Sequence, residues 1–474
     1  MDDAAARAIM IADVTLDSRA VTRGSLFAAM PGTRVDGAQF VPLAIGAGAA
    51  AILCDALADI SAAPVPIIRA ADPRRAAALI AARFFGRQPA ITVAVTGTSG
   101  KSSVADFTRQ IFAQLGYPAA SIGTLGIVRP DGSVYGGLTT PDPVSLHRSL
   151  ADLAGEGVTH LAFEASSHGL DQRRLDGVRL TAAAFTNFGR DHLDYHSTVE
   201  AYFSAKMRLF DELLPVGATA VVNVDDPRAE QVVRRARDGG RAVMEVGVRG
   251  GDIEYVGSSR VGAAQRLELR HAGSGYRVDL PLIGAYQAEN ALVAAGLAIA
   301  SGARPADVFA ALVHLKGVPG RLETIGACRG ALIVVDYAHK PEALTAVLES
   351  IRPFASGRLI CVFGCGGDRD RGKRPIMGGI AVALADLVIV TDDNPRSEDP
   401  AAIRAEILSA APGAIEIGDR AEAIRSAIAS ARAGDVVVIA GKGHETGQIV
   451  GRDVLPFSDQ DVARAVIAEF ESRG

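Results

Sequence analysis

Short apolar runs alternate with amphipathic stretches through the middle of the chain. The runs ITVAVT, THLAFEAS, AAAFTNFG and ATAVVNVDD are typical of buried strands because they are short and mostly apolar. The first is followed by a segment from Ser102 to Leu115 whose apolar residues recur at helical spacing. Strands that alternate with helices in this way predict a mainly parallel sheet with helices on both faces.

A second alternating block follows Pro319-Gly320. Its strand-like runs are LIVVDYA, RLICVFG, DLVIVTD and DVVVIAG, and helices are expected to begin near Pro341, Lys373, Pro400 and Arg420. The first 88 residues hold short runs such as VTLDSR and GSLFAAM before an Ala-rich helical stretch. We therefore predict an α/β protein of three domains: a small N-terminal α/β domain (1–88), a central parallel-sheet domain (89–319) and a C-terminal Rossmann-like domain (320–474).

Composition narrows the functional classes. A chain of 474 residues, 49% apolar and 22% charged, is globular and too long for one ordinary core. The formal net charge of −5 argues against a nucleic-acid-binding protein held by a generally basic surface. The sequence contains neither a signal-peptide pattern nor an uninterrupted apolar stretch of about 18 residues, so we expect a cytoplasmic protein without a membrane span.

The four cysteines are too few for a disulfide scaffold. Cys361 and Cys365 have the spacing of a metal-binding pair, but no second pair or nearby histidine completes a site with four ligands. We expect all four, including Cys54 and Cys328, to be small buried core residues.

A glycine-containing turn joins the strand ITVAVT to the helix that follows it. The segment from Thr96 to Ser103, TGTSGKSS, is typical of a phosphate-binding loop because backbone N–H groups and the helix N-terminus point at an anion. Lys101 would reach the outer phosphates of ATP, and the Ser102 hydroxyl would hold Mg²⁺. The strict pattern has Gly where this chain has Val95, which leaves a tight turn with a capping serine as the alternative. We predict a central domain of the P-loop ATPase type.

A lysine lies within an apolar helical stripe downstream. In VEAYFSAKMRLFDELL, Lys206 is seven residues after Val199, four after Tyr202 and four before Phe210. A buried ammonium is costly, so Lys206 must extend to solvent, pair, lose its proton or be modified. Helical spacing alone favours extension to solvent.

Two polar segments follow strands of the central block. EASSHGL begins at Glu164, and TNFGRDHLDYH contains Asp191 and His192. In a parallel sheet both fall on the edge where the phosphate loop lies. Glu164 and His192 are therefore predicted to be Mg²⁺ and phosphate-site residues.

Ten segments occur in one order along the whole chain: TGTSGKSS, EASSHGL, TNFGRDHLDYH, the helix with Lys206, GAYQAENALVA, GVPGRLE, DYAHKPEAL, GCGGDRDRGKRP, DDNPR and GKGHE. In this order they resemble the Mur ligases of peptidoglycan synthesis, and most closely the branch that adds meso-2,6-diaminopimelate. Val95 in place of glycine then agrees with the family. Lys340 departs from it, since relatives usually have a small hydroxyl residue after DYAH, and we expect Lys340 to face solvent.

The resemblance implies an ATP-dependent carboxylate–amine ligase. It would join meso-diaminopimelate to UDP-N-acetylmuramoyl-L-alanyl-D-glutamate through an acyl phosphate, and so serve cell-wall biogenesis, cell shape and division. It also implies that Lys206 carries a CO₂-derived carbamate, which with Glu164 and His192 helps to hold Mg²⁺. The catalytic residues would be Lys101, Lys206, His192 and Glu164. The partners would be small-molecule substrates only, and we expect a monomer.

The resemblance also assigns binding residues. For ATP these are Gly97, Thr98, Ser99, Gly100, Lys101, Ser102 and Ser103 of the loop, with Asn290, Arg321 and Asp336. For the UDP-muramoyl dipeptide, bound in part by the N-terminal domain, they are Leu16, Ser18, Thr33, Arg34, Val35, Thr139, Thr140, Ser166, Gln172 and Arg174. The segment TRV, from Thr33 to Val35, departs from the common pattern.

Diaminopimelate differs from lysine by a distal carboxylate, so a selective pocket needs a cation as well as an acid. Arg396 of DDNPR follows a strand, and a guanidinium can bind a carboxylate in a bidentate pair. Glu445 of GKGHE would take the ammonium. The predicted diaminopimelate-binding residues are Arg369, Asp393, Asn394, Pro395, Arg396, Gly441 and Glu445.

Three alternatives remain open at this point. A lysine-adding ligase would have little use for Arg396. A folylpolyglutamate synthase explains DDNPR and the LDSR segment poorly. A nucleotide-dependent switch with a phosphate loop would release phosphate without any amino-acid substrate.

Overall fold

The computed structural model describes residues 9–32, 35–60, 63–135, 139–192, 195–249, 251–262 and 264–472. The chain forms two compact units. The first comprises Met1–Asp252 and Val293–Val308, and the second comprises Ile253–Leu292 and Phe309–Gly474. Among the described residues, no helix has both the length and the apolar character that crossing a membrane requires.

The first unit begins with a small parallel sheet in the order β1-β2-β3-β4. Its strands are Asp13–Thr15, Ser25–Ala29, Ala51–Asp55 and Ile67–Ala70, accompanied by helices α1 (Val41–Gly46) and α2 (Pro73–Phe85). Helix α2 begins where the Asp72 side chain accepts from the Arg75 amide and ends at Gly86, which has a positive φ of 68°.

The larger sheet of the first unit has the order β12-β11-β10-β5-β9-β6-β7-β8. The strands from β12 to β6 run parallel, as predicted, and the edge strands β7 and β8 run antiparallel. The strands are β5 (Ile91–Thr96), β6 (Ala119–Gly123), β7 (Gly126–Val128), β8 (Val134–Tyr135), β9 (His160–Glu164), β10 (Ala182–Phe185), β11 (Thr219–Asn223) and β12 (Ala242–Gly247).

Helices connect these strands and cover an apolar core. They are α3 (Lys101–Gln114), α4 (Pro143–Gly155), α5 (Ser167–Asp171), α6 (Val199–Arg208) and α7 (Ala229–Asp238). Helix α6 continues directly into a π-helical turn, Leu209–Leu213. Phe163, Phe185 and Phe210 lie in one buried cluster, so the strand and helix stripes recognised in the sequence are the core of this unit.

The second unit contains an antiparallel set, β13 (Ile253–Val261), β14 (Ala264–His271) and β15 (Ser274–Leu280), which the sequence patterns did not predict. Its main sheet has the order β16-β17-β21-β18-β19-β20, parallel except at the edge strand β16. These strands are Glu323–Cys328, Ala331–Asp336, Val436–Ala440, Leu359–Phe363, Leu387–Val390 and Ile415–Glu416. A hairpin of β22 (Gly447–Val450) and β23 (Asp453–Pro456) follows.

The helices within residues 320–474, the third predicted domain, are α10 (Pro341–Ile351), α11 (Lys373–Leu384), α12 (Pro400–Leu408), α13 (Arg420–Ser430) and α14 (Asp459–Ser472). The first four begin at the predicted residues. They are preceded by α8 (Ala285–Ala300) and α9 (Pro305–Ala311). All four cysteines are buried and free, which confirms their interpretation as core residues.

Candidate functional site

Three polar segments of the first unit begin at the carboxyl ends of adjacent parallel strands. The register pairs Thr96 of β5 with Phe185 of β10, and Val95 of β5 with Glu164 of β9. The phosphate loop, EASSHGL and TNFGRDH therefore start side by side at one sheet edge, as predicted. The chain order reverses across this central strand, which is where open α/β sheets place their ligands.

The phosphate loop is held by the strand next to it. Thr98 N donates to Asn187 O and Ser99 N donates to Asn187 Oδ1, both at 2.9 Å. Gly97 has a φ of 152°, and a Cβ there would come within 1.9 Å of Thr186 Oγ1, so only glycine fits. Gly100 precedes α3 with a φ of 84° and supplies no capping side chain. The N-terminus of α3 can therefore receive an anion.

Lys206 is fully buried, with 1% of its surface exposed. Its Nζ donates to the carbonyl oxygen of Gly97 at 2.7 Å and lies 4.4 Å from the centroid of the Tyr202 ring. Extension to solvent, the alternative that helical spacing favoured, is excluded. The lysine instead points from α6 to Gly97, the second residue of the phosphate loop.

The pKa of Lys206 lies well below its ordinary value. Burial is the main cause because it penalises the charged form, and the nearby Lys101 ammonium lowers the pKa further, whereas Asp191 opposes the shift. A lowered pKa enriches the neutral amine, which is the form that reacts with CO₂. Lys206 is thus chemically suited to carbamate formation.

Glu164 is buried at the end of β9 and its carboxylate is held by Thr124. Thr124 N donates to Oε1 at 2.7 Å and Thr124 Oγ1 to Oε2 at 3.3 Å. A Cβ on Gly123 would come within 2.2 Å of Glu164 Oε1, so glycine makes room for the carboxylate. Glu164 and Ser102 line one small cleft that opens to solvent.

The donors in this cleft suit Mg²⁺. A carboxylate and a serine hydroxyl are hard oxygen ligands, and Mg²⁺ is usually held by one or two carboxylates with substrate phosphates and water. Among the described residues, no group of three His, Cys, Asp or Glu side chains forms a complete metal site. The residues present therefore fit an ion that is shared with a bound nucleotide.

His192 lies in an aromatic cluster next to Lys206. Its ring centroid is 4.8 Å from that of His168 and 5.9 Å from that of Tyr202. The Tyr202 hydroxyl is also 3.2 Å from Thr98 Oγ1 in the phosphate loop. Tyr202 was recognised in the sequence only as a core residue. Its place in the apolar stripe, one turn before Lys206, was the signal that could have identified it as a neighbour of the site.

A hydrogen-bonded chain joins most residues assigned to the UDP-linked substrate. Thr140 Oγ1 donates to Ser166 Oγ at 2.9 Å, and Arg174 Nη1 donates to Thr140 O at 2.6 Å. Arg174 Nη2 also donates to Gln172 Oε1 at 2.8 Å. The hydroxyl oxygens of Thr139 and Thr124 are 3.0 Å apart, and Thr124 and Thr140 both donate to Glu164, which links Thr139 to the set. Thr139, Thr140, Ser166, Gln172 and Arg174 therefore lie in one hydrogen-bonded set.

The remaining residues of that assignment belong to the N-terminal segment. Leu16 and Ser18 follow β1 and are half-buried, whereas Val35 is exposed. No hydrogen bond among the described residues links the three to Thr140 or Arg174. Thr33 and Arg34 lie outside the described residues.

In the second unit, four adjacent parallel strands also end in polar segments. The register pairs Asp336 of β17 with Ala440 of β21, and Phe363 of β18 with Val390 of β19. DYAHK, GKGHE, GCGGDRD and TDDNPR therefore begin along one sheet edge. The prediction concerned three of these segments, GKGHE, GCGGDRD and TDDNPR, whereas DYAHK was assigned to the nucleotide.

The segment with Arg396 is anchored on both sides. Arg396 Nη1 donates to Gly367 O at 2.8 Å, and Arg396 N donates to Ile449 O at 3.0 Å. Arg396 has a positive φ of 53°, a conformation that non-glycine residues rarely adopt. Such backbone strain is common at ligand-binding positions. Arg369 is exposed on the loop after β18, and no hydrogen bond among the described residues joins it to Arg396.

Asn394 and Glu445 are bonded directly, Asn394 Nδ2 donating to Glu445 Oε2 at 2.9 Å. Gly441 has a φ of 119°, and a Cβ there would come within 2.6 Å of Asp393 Oδ2. Pro395 is buried beside them and its carbonyl packs on Gly367. Apart from Arg369, the residues assigned to the amino acid therefore contact one another.

Two buried cations beside this pocket were missed by the sequence analysis. Lys442 is fully buried and contacts both Asn394 and Glu445. Arg420, also fully buried, pairs with Asp459 through Nε and Nη2 at 2.7 Å each. Lys442 belongs to the GKGHE segment, so the sequence could have identified it as a residue of the pocket. Arg420 was noted only as a helix start.

Asn290, Arg321 and Asp336 are joined through intermediates. Gln287 Nε2 donates to Arg321 O at 2.6 Å, and Asn290 Nδ2 donates to Gln287 Oε1 at 3.3 Å. Leu322 N, next along the chain from Arg321, donates to Asp336 Oδ2 at 2.8 Å. Burial raises the pKa of Asp336, and Arg321 is the largest opposing influence. The three predicted residues thus lie in one network.

Lys340 is half-buried where α10 begins, so it is less exposed than the sequence led us to expect. Burial lowers the pKa of its neighbour His339 to about 4, with Lys373 and Lys340 contributing. Lys373 Nζ donates to His339 O at 2.7 Å.

Known proteins resemble the chain along nearly its whole length. Family models match three consecutive parts: "Mur ligase family, catalytic domain" at residues 10–85, "Mur ligase middle domain" at 95–298 and "Mur ligase, glutamate ligase domain" at 320–443. The predicted fold class, an α/β protein with N-terminal, central and C-terminal Mur-type domains, is thereby confirmed.

Two curated relatives are UDP-N-acetylmuramoyl-L-alanyl-D-glutamate–2,6-diaminopimelate ligases. The protein from Bradyrhizobium diazoefficiens is 57% identical over 98% of this chain and 96% of the relative. The one from Brucella melitensis is 57% identical over 98% of this chain and 95% of the relative. A solved structure of a ligase with the same name is 34% identical, with a TM-score of 0.74 over 97% of this chain and 95% of that one. Identity at this level over the full length, together with the three family matches, shows that the chain belongs to the Mur ligase family.

Proposed function

We propose that the protein is the ligase that uses ATP to join meso-2,6-diaminopimelate to UDP-N-acetylmuramoyl-L-alanyl-D-glutamate in peptidoglycan precursor synthesis. The observation that carries this proposal is the hydrogen bond from the buried Lys206 Nζ to Gly97 O of the phosphate loop in the first unit. In the second unit, the strand-end segments that contain Arg396 and Glu445 support it. Full-length relatives with 57% identity bear the name of this activity.

The reaction proceeds through an activated carboxylate. The γ-phosphoryl group of ATP passes to the glutamate carboxylate, and ADP leaves. The diaminopimelate amine then attacks the acyl carbon, loses its proton, and expels inorganic phosphate from the tetrahedral intermediate. Two anions must approach each other in the first step, so fixed positive charge is needed.

Lys101 supplies that charge and lies ready in the loop, where its Nζ donates to Gly97 O and Thr98 O at 2.9 Å each. These carbonyls are weaker partners than phosphate oxygens, so the ammonium can turn to a bound nucleotide. The backbone N–H groups at the start of α3 bind the phosphates. Asn290, Arg321 and Asp336 bind the remainder of the nucleotide.

Ser102, Glu164, His192 and carbamylated Lys206 would hold Mg²⁺, which neutralises phosphate charge when bound. The cleft shared by Ser102 and Glu164 supports this assignment, as does the lowered pKa of Lys206. Lys206 as a carbamate would replace a buried amine with an anion. Catalytic roles are thus proposed for Lys101, Glu164, His192 and Lys206.

The UDP-linked substrate is assigned to Leu16, Ser18, Thr33, Arg34, Val35, Thr139, Thr140, Ser166, Gln172 and Arg174. The connected set from Thr139 to Arg174 supports the second half of this assignment. Residues 1–88 would form the UDP-sugar-binding domain, 89–319 the ATP-binding domain and 320–474 the domain that binds the incoming amino acid. We further propose a cytoplasmic monomer.

Selectivity for diaminopimelate is assigned to Arg396, which would bind the distal carboxylate, and to Glu445, which would bind an ammonium. Asp393, Asn394, Pro395 and Gly441 shape the same pocket, and Arg369 is assigned to diaminopimelate without a contact to them. A lysine-adding ligase would leave the Arg396 guanidinium without a carboxylate partner.

Phosphate release with each substrate omitted in turn tests the proposal. We expect release only when ATP, the UDP-muramoyl dipeptide and meso-diaminopimelate are all present. Equal turnover with lysine would contradict the specificity assignment. Release from ATP alone at the full rate would favour a nucleotide switch, and release with a folate and glutamate would favour a folylpolyglutamate synthase.

A further inference from the structure

The side chain of Lys442 lies at the end of β21 with no exposed surface. Its Nζ donates to Asn394 Oδ1 at 3.0 Å and to Glu445 Oε2 at 3.1 Å. A buried ammonium is stable only where partners replace its water. Here both partners are side chains assigned to the amino-acid pocket.

The contacts close into a triangle because Asn394 Nδ2 also donates to Glu445 Oε2, at 2.9 Å. Asn394 Oδ1 accepts a second bond from Ile449 N at 2.9 Å, which ties the triangle to β22. Glu445 Oε2 is therefore occupied by two donors. Glu445 Oε1 accepts no hydrogen bond among the described residues, and a third of the side chain (33%) is exposed. Asn394 and Lys442 therefore fix the Glu445 carboxylate through Oε2, and Oε1 can accept a hydrogen bond from a ligand.

Charge around the pocket is balanced by Lys442. The acids are Asp393, Glu445 and Asp459, and the cations are Arg396, Arg420 and Lys442. Arg420 is bound by Asp459 in a bidentate pair, so Lys442 is the cation in contact with Glu445. Burial raises the pKa of Asp393, and the charges of Arg420 and Lys442 are the main opposing influences. Lys442 therefore acts electrostatically on both Glu445 and Asp393.

We infer that Lys442 is a positioning residue that determines amino-acid specificity. It fixes the positions of the Glu445 and Asn394 side chains, and its charge keeps the pocket electrically neutral. This inference rests on the proposed function. Diaminopimelate carries two ammonium and two carboxylate groups and is neutral overall, whereas lysine carries a net positive charge. A neutral pocket gives no electrostatic advantage to the binding of lysine, which carries the extra positive charge. A pocket that has lost Lys442 gains a net negative charge and favours lysine more.

The test compares the parent enzyme with Lys442→Met, which keeps side-chain length without charge, and Lys442→Gln, which keeps one donor. Steady-state phosphate release gives kcat and KM for diaminopimelate, lysine and ATP. Because a charge-assisted hydrogen bond to Glu445 is lost, we expect the diaminopimelate KM of Lys442→Met to rise about 10-fold or more, with the ATP KM near the parent value. The preference for diaminopimelate over lysine should fall by a similar factor, and Lys442→Gln should be intermediate.

A double-mutant cycle with Glu445→Gln separates positioning from general structural support. If Lys442 acts through Glu445, Lys442→Met should change the diaminopimelate KM much less in the Glu445→Gln background. Equal effects in both backgrounds, an unchanged preference for diaminopimelate, or failure of both Lys442 variants to fold would overturn the inference. Absence of diaminopimelate-dependent turnover in the parent would instead reject the proposed function itself.

Discussion

The ammonium groups of Lys101 and Lys206 donate to one acceptor, the carbonyl oxygen of Gly97, at 2.9 and 2.7 Å. Two cations that share one acceptor repel each other, which is part of the reason why the pKa of Lys206 is lowered. Conversion of Lys206 to a carbamate would replace this repulsion with attraction. The phosphate loop and helix α6 are thus coupled through a single backbone oxygen.

Replacement of Lys206 by alanine should therefore abolish ligase activity, by about 100-fold or more, because an essential charged group is removed. Bicarbonate should raise the activity of CO₂-depleted parent enzyme and leave Lys206→Ala unchanged. The exposed Ser204 lies on the same helix, and Ser204→Ala serves as the matched control with parent-like activity. A carbamate signal in the ¹³C NMR spectrum of parent enzyme in labelled bicarbonate provides the direct observation. Parent-like turnover in Lys206→Ala would refute the carbamate role.

Replacement of Arg396 by alanine should raise the diaminopimelate KM about 10-fold or more, since a bidentate charge-assisted contact to the distal carboxylate is lost. The KM for ATP should stay within about twofold of the parent value if the effect is confined to this pocket. Arg452 is exposed in the turn of the adjacent hairpin, so Arg452→Ala removes the same charge without the contact. Equal diaminopimelate KM values in the two variants would show that Arg396 does not bind the substrate.

The buried pair Arg420–Asp459 should make a large contribution to stability. Both side chains are fully buried, so Asp459→Asn leaves a guanidinium charge without its counter-ion. We expect the free energy of unfolding to fall by about 3–5 kcal/mol in urea denaturation. Asp461, two residues along α14, is 79% exposed, and Asp461→Asn should cost under about 1 kcal/mol. Similar losses in both variants would argue against a special role for the buried pair.

His339 should make stability depend on pH below neutrality. Burial lowers its pKa to about 4, so the unfolded chain binds a proton more readily than the folded protein. Unfolding then takes up a proton, and the folded state loses stability as the pH falls from about 6.5 towards 4. His339→Asn should reduce this slope by up to about 1.4 kcal/mol per pH unit, measured by denaturation at pH 7, 6 and 5. An unchanged slope would show that His339 does not titrate in this window.

The central parallel sheet could be predicted because β5, β9 and β10 are short buried apolar runs. The polar segments after these strands could be placed together because the carboxyl ends of parallel strands lie at one edge of the sheet. The same reasoning placed Asp393 and Arg396 near Glu445. The antiparallel strands β13–β15 were missed because their alternating polar and apolar residues are interrupted by glycine and serine. The extension of Lys206 to solvent, which helical spacing favoured, was wrong. Spacing shows which face of a helix a residue occupies, but it does not show which other parts of the protein cover that face.

By itself, the sequence determined the alternation of strands and helices, the phosphate loop, the order of the motifs and hence the family, since these depend on residues close together in the chain. Only the tertiary structure decided that Gly97 accepts from Lys206, 109 residues away, and that Lys442 bonds to Asn394, 48 residues away. Such contacts depend on strand order and on how deeply each side chain is buried. Burial in turn changes the chemistry of both lysines. It lowers the pKa of Lys206, and it means that the ammonium of Lys442 is stable only with hydrogen-bonding partners that replace water.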